Sequence, residues 1–131
     1  MNFDWAEYFH VAQELSEQTK NSLHQDARLC SAISRSYYAA FGKARDHLRL
    51  KDKLVEPRVD SKGQRINPHA YVAETFKNSA DKERVEIGVN LERMRLLRNK
   101  ADYEGTFDML APFARTSLTM AKNVLIKLRK L

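Results

Sequence analysis

The 131-residue chain has one cysteine, four glycines, three prolines and four histidines. A single cysteine excludes an internal disulfide and a zinc site built from four thiolates, and points to a reducing, cytoplasmic setting. So few glycines and prolines exclude a strand-and-turn protein with many tight corners. No two of His10, His24, His47 and His69 stand four apart, and no His-Glu-x-x-His pattern occurs, so no metal is expected. There is no glycine-rich phosphate loop, and no cofactor is expected. No apolar run approaches the roughly 20 residues that cross a bilayer. The start, Met1-Asn2-Phe3-Asp4-Trp5, lacks the basic-then-apolar order of a secretory signal. We also find no internal repeat.

What is present fits one globular domain over residues 1–131. Hydrophobic residues make up 43% and charged residues 31% of the chain, a balance that supports a packed core. The net charge of +6 is uneven: residues 1–26 carry −4 and the remainder +10. A basic body favours an anionic partner, nucleic acid first.

Apolar residues recur at helical spacing. Asp4 and Glu7 form a capping-box-like start to a first helix, with Trp5, Tyr8, Phe9, Ala12, Leu15 and Thr19 on one face. A second helix is expected from about Asp26 to Lys53, with the stripe Cys30, Ile33, Tyr37, Phe41, Ala44 and Leu48; Cys30 reads as a core thiol. Val55 to Pro68, with Pro57, Gly63 and Asn67-Pro68, reads as a solvated loop. A short helix follows from Pro68 to Lys77. A fourth, capped by Ser79 or Asp81, runs to about Tyr103, with Val85, Val89 and Leu96, and also Ile87, Leu91 and Met94, on a broad apolar face. Gly88 inside it is either tolerated at a cost of about 1 kcal/mol or marks close helix packing, and Gly105 is its C-terminal cap. The last helix starts near Asp108, with Pro112 in its first turn. Its stripe is Leu110, Ala114, Leu118 or Ser117, Ala121, Val124 or Leu125, and Leu128. No segment alternates with period two. The fold expected is all-α, an up-and-down bundle of four long helices plus one short helix.

Two segments carry chemistry. In Ser34-Arg35-Ser36-Tyr37-Tyr38-Ala39 the adjacent tyrosines lie about 100° apart, so one belongs to the core and the other to an interface. Arg35 and Tyr38, three apart, can line one groove. In Arg93-Met94-Arg95-Leu96-Leu97-Arg98-Asn99-Lys100-Ala101-Asp102-Tyr103, the side chains of Arg95, Arg98, Asn99 and Asp102 fall on one ridge. Such a ridge can present guanidinium forks to phosphate, and Tyr103 can stack on a base. An Arg98–Asp102 surface ion pair is the plainer reading of the same spacing.

Together the two segments resemble the HEPN superfamily, in particular its small prokaryotic members. The second helix there carries a Ser-Arg-x-Tyr-Tyr-Ala-like run, matched by Ser34 to Ala39. The fourth ends in an Arg-x-x-Ala-Asp-Tyr-like signature, matched by Arg98, Ala101, Asp102 and Tyr103. The resemblance spans about Asp4 to Leu128. It implies a homodimer with the motif helices of the two subunits facing each other across a cleft, and RNA or a nucleotide as ligand. Arg35, Tyr38, Arg95, Arg98, Asn99 and Tyr103 become the binding residues, and Arg98, Asp102 and Tyr103 the candidates for catalysis. Active members place a histidine after an arginine and four to six intervening residues. Here Tyr103, Glu104 and Gly105 fill that window after Arg98, and a weakly catalytic or non-catalytic binding role follows. The resemblance also implies two alternatives. One is a metal-independent ribonuclease toxin. The other is an interaction module of a toxin–antitoxin or defence pair, partnered with a nucleotidyltransferase antitoxin and modified on Tyr103.

Overall fold

The computed structural model describes residues 3–17, 24–104 and 108–131. Thr19 of the first stripe and the Gly105 helix stop lie outside these residues. Five helices follow in order: α1 Ala6–Glu17, α2 Gln25–Leu50, α3 Pro68–Lys77, α4 Lys82–Glu104 and α5 Leu110–Lys130. Among the described residues the β structure is one isolated antiparallel bridge, Val59 to Arg65. The all-α bundle of four long helices and one shorter helix is therefore the architecture of this chain.

Local chemistry sets the starts of three helices. Asp4 Oδ1 accepts from the Ala6 amide at 3.0 Å, Asn67 Oδ1 from His69 at 2.9 Å and Asp81 Oδ1 from Glu83 at 3.0 Å. Each satisfies an amide that helix geometry leaves without a partner. Pro68 occupies the first position of α3, where its missing N–H costs nothing. α2 and α5 start differently. Their preceding residues, His24 (φ 62°) and Met109 (φ 67°), are left-handed and provide no side-chain cap. α2 stops at Leu50, short of Lys53, because the chain turns through a left-handed Lys53 (φ 57°). The amides of Lys51 and Asp52 then bond the His47 carbonyl and that of Leu54 the Leu48 carbonyl.

The four long helices alternate in direction. Asp4 pairs with Lys43 at 3.2 Å and the Trp5 ring lies on Gly42, where a built Cβ would sit 2.2 Å from it; α1 thus runs against α2. Ala101 near the end of α4 packs with Leu29 and Ile33 at the start of α2, while Arg84 near the start of α4 bonds Asp52, beyond the end of α2, at 2.7 and 3.0 Å. α5 runs alongside α2: their starts meet through Leu110, Ala114, Leu29 and Ile33, and Leu48 and Leu128 join the same larger cluster. That larger cluster is the main core, centred on Tyr37, Phe41, Val72, Phe76, Ile87, Leu91, Met94 and Val124.

Four expected core positions are corrected. Leu96 is 67% exposed. α4 buries Ile87, Leu91, Met94 and Ala101, and Leu96 stands about 200° round the helix from Met94. Val85 and Val89 are only half-buried for the same reason of register. Cys30 is half-buried at the margin of the smaller cluster rather than inside the core. Burial first, then the nearby Asp26 and Asp102 charges, push its thiol above the ordinary range.

The segment between α2 and α3 is built rather than loose. Asp60 Oδ1 accepts from the amides of Lys62 at 2.8 Å and Gln64 at 2.9 Å, and Gly63 takes the left-handed φ of 77° that closes the turn. The Ile66 amide bonds the Arg58 carbonyl at 3.0 Å. Arg45 then holds the segment to α2 through a two-pronged pair with Glu56 at 2.5 and 2.8 Å.

Candidate functional site

The stripe that α4 turns inward is Ile87, Leu91, Met94, Arg98 and Ala101, at intervals of four, three, four and three. Arg98 therefore occupies a core register, and its side chain is only 16% exposed. The α2 residue it meets is Tyr38, with the guanidinium carbon 5.2 Å from the ring centre, a cation–π contact. Arg98 Nη1 donates to Asn99 Oδ1 at 2.8 Å. Its Nε lies 2.9 Å from Asp102 Oδ2. That pair is close in charge but out of line for a hydrogen bond, so the buried Nε–H has no acceptor. Asp102 thus offsets the guanidinium charge at close range, and the group's hydrogen bonding stays incomplete.

His69 completes the arrangement. Asn67 and Pro68 place it in the first turn of α3, and its ring stacks on Phe41 at 4.4 Å between centres. Its Nδ1 shares a 2.6 Å hydrogen bond with Tyr37 Oη. Burial drives the Tyr37 phenol far above its usual value, with Arg95 and Arg98 opposing only in part. The phenol therefore keeps its proton at neutral pH, and we assign it as the donor to Nδ1. His69 is held below the ordinary imidazole range, chiefly by burial, then by the charges of Arg95, Arg98 and Arg45. It is neutral near pH 7, with its ring proton on Nε2, and that N–H is a further donor.

The structure thus brings together Tyr38, Arg98, Asn99 and Asp102, with Arg95 close enough to act on His69 and Tyr37. It turns one other predicted residue away and leaves another exposed. Arg35 turns toward α1, with its guanidinium 5.0 Å over the Tyr8 ring, rather than into a groove with Tyr38. Tyr103 is 78% exposed in the last turn of α4. The pair of tyrosines divides as expected: Tyr37 is 1% exposed and Tyr38 half-buried. His69 and the Tyr37 hydroxyl were missed. They lie 32 residues apart, so no helical spacing rule links them; the cue was Pro68, which commits His69 to a helix start. Among the described residues no three His, Cys, Asp or Glu side chains gather as a metal site.

Donors and cations dominate this junction of α2, α3 and α4. It suits the recognition of a phosphate or another oxyanion. Comparison of the chain with family models, curated proteins and solved structures returned no match.

Proposed function

We propose that this chain is a HEPN-like RNA- or nucleotide-binding protein, acting as a homodimer, with little or no cleavage of its ligand. The observation that carries the reading is Arg98: a guanidinium in an inward register, stacked on Tyr38 and left with an unaccepted Nε–H. The assigned tautomer of His69 supports binding over catalysis. With Nδ1 occupied by Tyr37 and the remaining proton on Nε2, the neutral ring offers a hydrogen bond to phosphate rather than a free base. Exposed Leu96 and Tyr103 on α4 give a second copy an apolar and aromatic surface beside the ridge.

The test is fluorescence anisotropy with a labelled uridine decamer across a salt series, with light scattering on the same samples. Binding should weaken steeply with salt, because phosphate contacts release counterions. Arg98→Ala should lower affinity by about tenfold or more, Arg98→Lys should restore part of it, and the protein should run at twice the chain mass. Binding that ignores salt, or an Arg98→Ala protein that folds and binds as well as the parent, sinks the reading. Rapid metal-independent cleavage of the decamer would replace it with a ribonuclease.

A further inference from the structure

The segment between α2 and α3 forms one wall of a groove of about 1160 Å³, the other wall being the end of α2. Four arginines line it, Arg45, Arg49, Arg58 and Arg65, with Glu56 as the one carboxylate and His69 also in the lining. Glu56 is already engaged, by Arg45 and, at 3.8 Å, by Arg49. Arg58 and Arg65 have no ion-pair partner among the described residues. The Ile66-to-Arg58 backbone bond and the Val59–Arg65 bridge hold their backbones side by side. Both line the groove, so it carries positive charge that its one carboxylate, Glu56, does not balance, and an anionic ligand would. The same groove has an apolar side made by Leu54, Val55, Pro57 and Ile66, and Val55 is left 88% exposed. Its size exceeds the several hundred Å³ common for small-molecule sites.

We propose that this groove is a nucleotide site in its own right, distinct from the α4 ridge: phosphates lie on Arg58 and Arg65, and the flat apolar base lies against Val55 and Ile66 toward His69. This inference stands on the groove and not on the HEPN reading. A free nucleotide and the end of an RNA strand offer the same chemistry. Electroneutral or purely apolar ligands leave the two guanidiniums uncompensated. A purely acidic peptide leaves the apolar side bare.

The experiment measures binding of a fluorescent adenosine triphosphate analogue and of the labelled uridine decamer to the parent, to Arg58→Ala/Arg65→Ala and to Arg98→Ala. Both replaced arginines are exposed and outside the core, so urea midpoints should coincide. The double variant should lose tenfold or more in affinity for at least one probe, and Val55→Asp should do the same. Loss for the triphosphate assigns the groove to free nucleotide; loss for the decamer alone assigns it to a strand end. Because about 0.7 counterion is released per single-strand phosphate, the decamer's salt slope should then fall by about 1.4. Unchanged affinity for both probes overturns the proposal, as does equal competition by poly-glutamate. Arg98→Ala separates the two sites: loss there with none in the double variant keeps the ridge and removes the groove, and the reverse keeps the groove alone.

Discussion

Replacing Gly88 by alanine sets a gain in helix propensity against a steric cost, and the structure says which is larger. In an open helix the change would stabilise by about 1 kcal/mol. At Gly88 an added Cβ would lie 2.6 Å from the Ala73 carbonyl oxygen, 2.6 Å from Lys77 Cγ and 2.8 Å from the Lys77 amide nitrogen. Ordinary contact begins at 3.4 Å, so α3 and α4 would have to separate by about 0.8 Å. Two of the three obstacles are backbone and cannot rotate away. The third, Lys77, is anchored through its ammonium to Glu92 at 2.6 Å. Overpacking of this kind costs about 1–3 kcal/mol, and the rigid backbone puts Gly88 in the upper part of that range. The net expectation is a loss of about 1–2 kcal/mol, or roughly 3–8 °C in Tm. Urea unfolding followed by circular dichroism should show a lower midpoint with an unchanged slope. Since α3 carries His69, the same variant should also perturb the Tyr37–His69 bond, and its effect should fail to add to that of Tyr37→Phe. A Gly88→Ala protein as stable as the parent would refute the argument from helix contact.

Tyr37→Phe removes the donor to His69 Nδ1 and should cost about 0.5–1.5 kcal/mol. That hydrogen bond favours the neutral ring, so the imidazole pKa should rise in the variant; an NMR titration in which it stays put overturns the donor assignment. His69 and His47 are both held below the ordinary 6.5, mainly by burial, with Asp52 opposing in the case of His47. For such groups the folded state binds the proton less readily than the unfolded chain. Their stabilising contribution is therefore present above about pH 6.5 and lost as pH falls through the folded values. Urea midpoints should drop between pH 7.5 and 5.5, before the depressed carboxylates Asp52 and Glu56 begin to protonate, and His69→Gln should remove part of that dependence. A flat profile over this range would contradict the burial argument.

Helix limits were readable where side chains punctuate the chain. Asn67 and Pro68 mark the start of α3, and its bounds agree with the sequence reading at both ends. The face of α4 was harder, because Arg98 sits where an apolar residue would have completed the pattern, and Val85, Val89 and Leu96 then looked like an alternative stripe. The α2–α3 segment was legible as turns, through Gly63 and Pro57, but not as one wall of a groove. That wall depends on Arg45 reaching Glu56 across 11 residues, a contact that sequence spacing does not reveal. Within the site, Tyr38, Arg98 and Asp102 followed from helix periodicity. The contact between Tyr37 and His69 depends on how α3 docks, which no local rule describes.

The two ends of the bundle are held by different chemistry. At one end, Arg84 grips Asp52, and Lys127 bonds both Glu83 and Glu86. At the other, the described contacts include the buried apolar cluster of Leu29, Ile33, Ala101, Leu110 and Ala114, with Lys100 set over the Phe113 ring. Salt should therefore loosen the first end, whose ion pairs it screens, more than the second, which apolar burial holds. The last turn of α4, which presents Tyr103, lies at the end whose packing salt leaves intact.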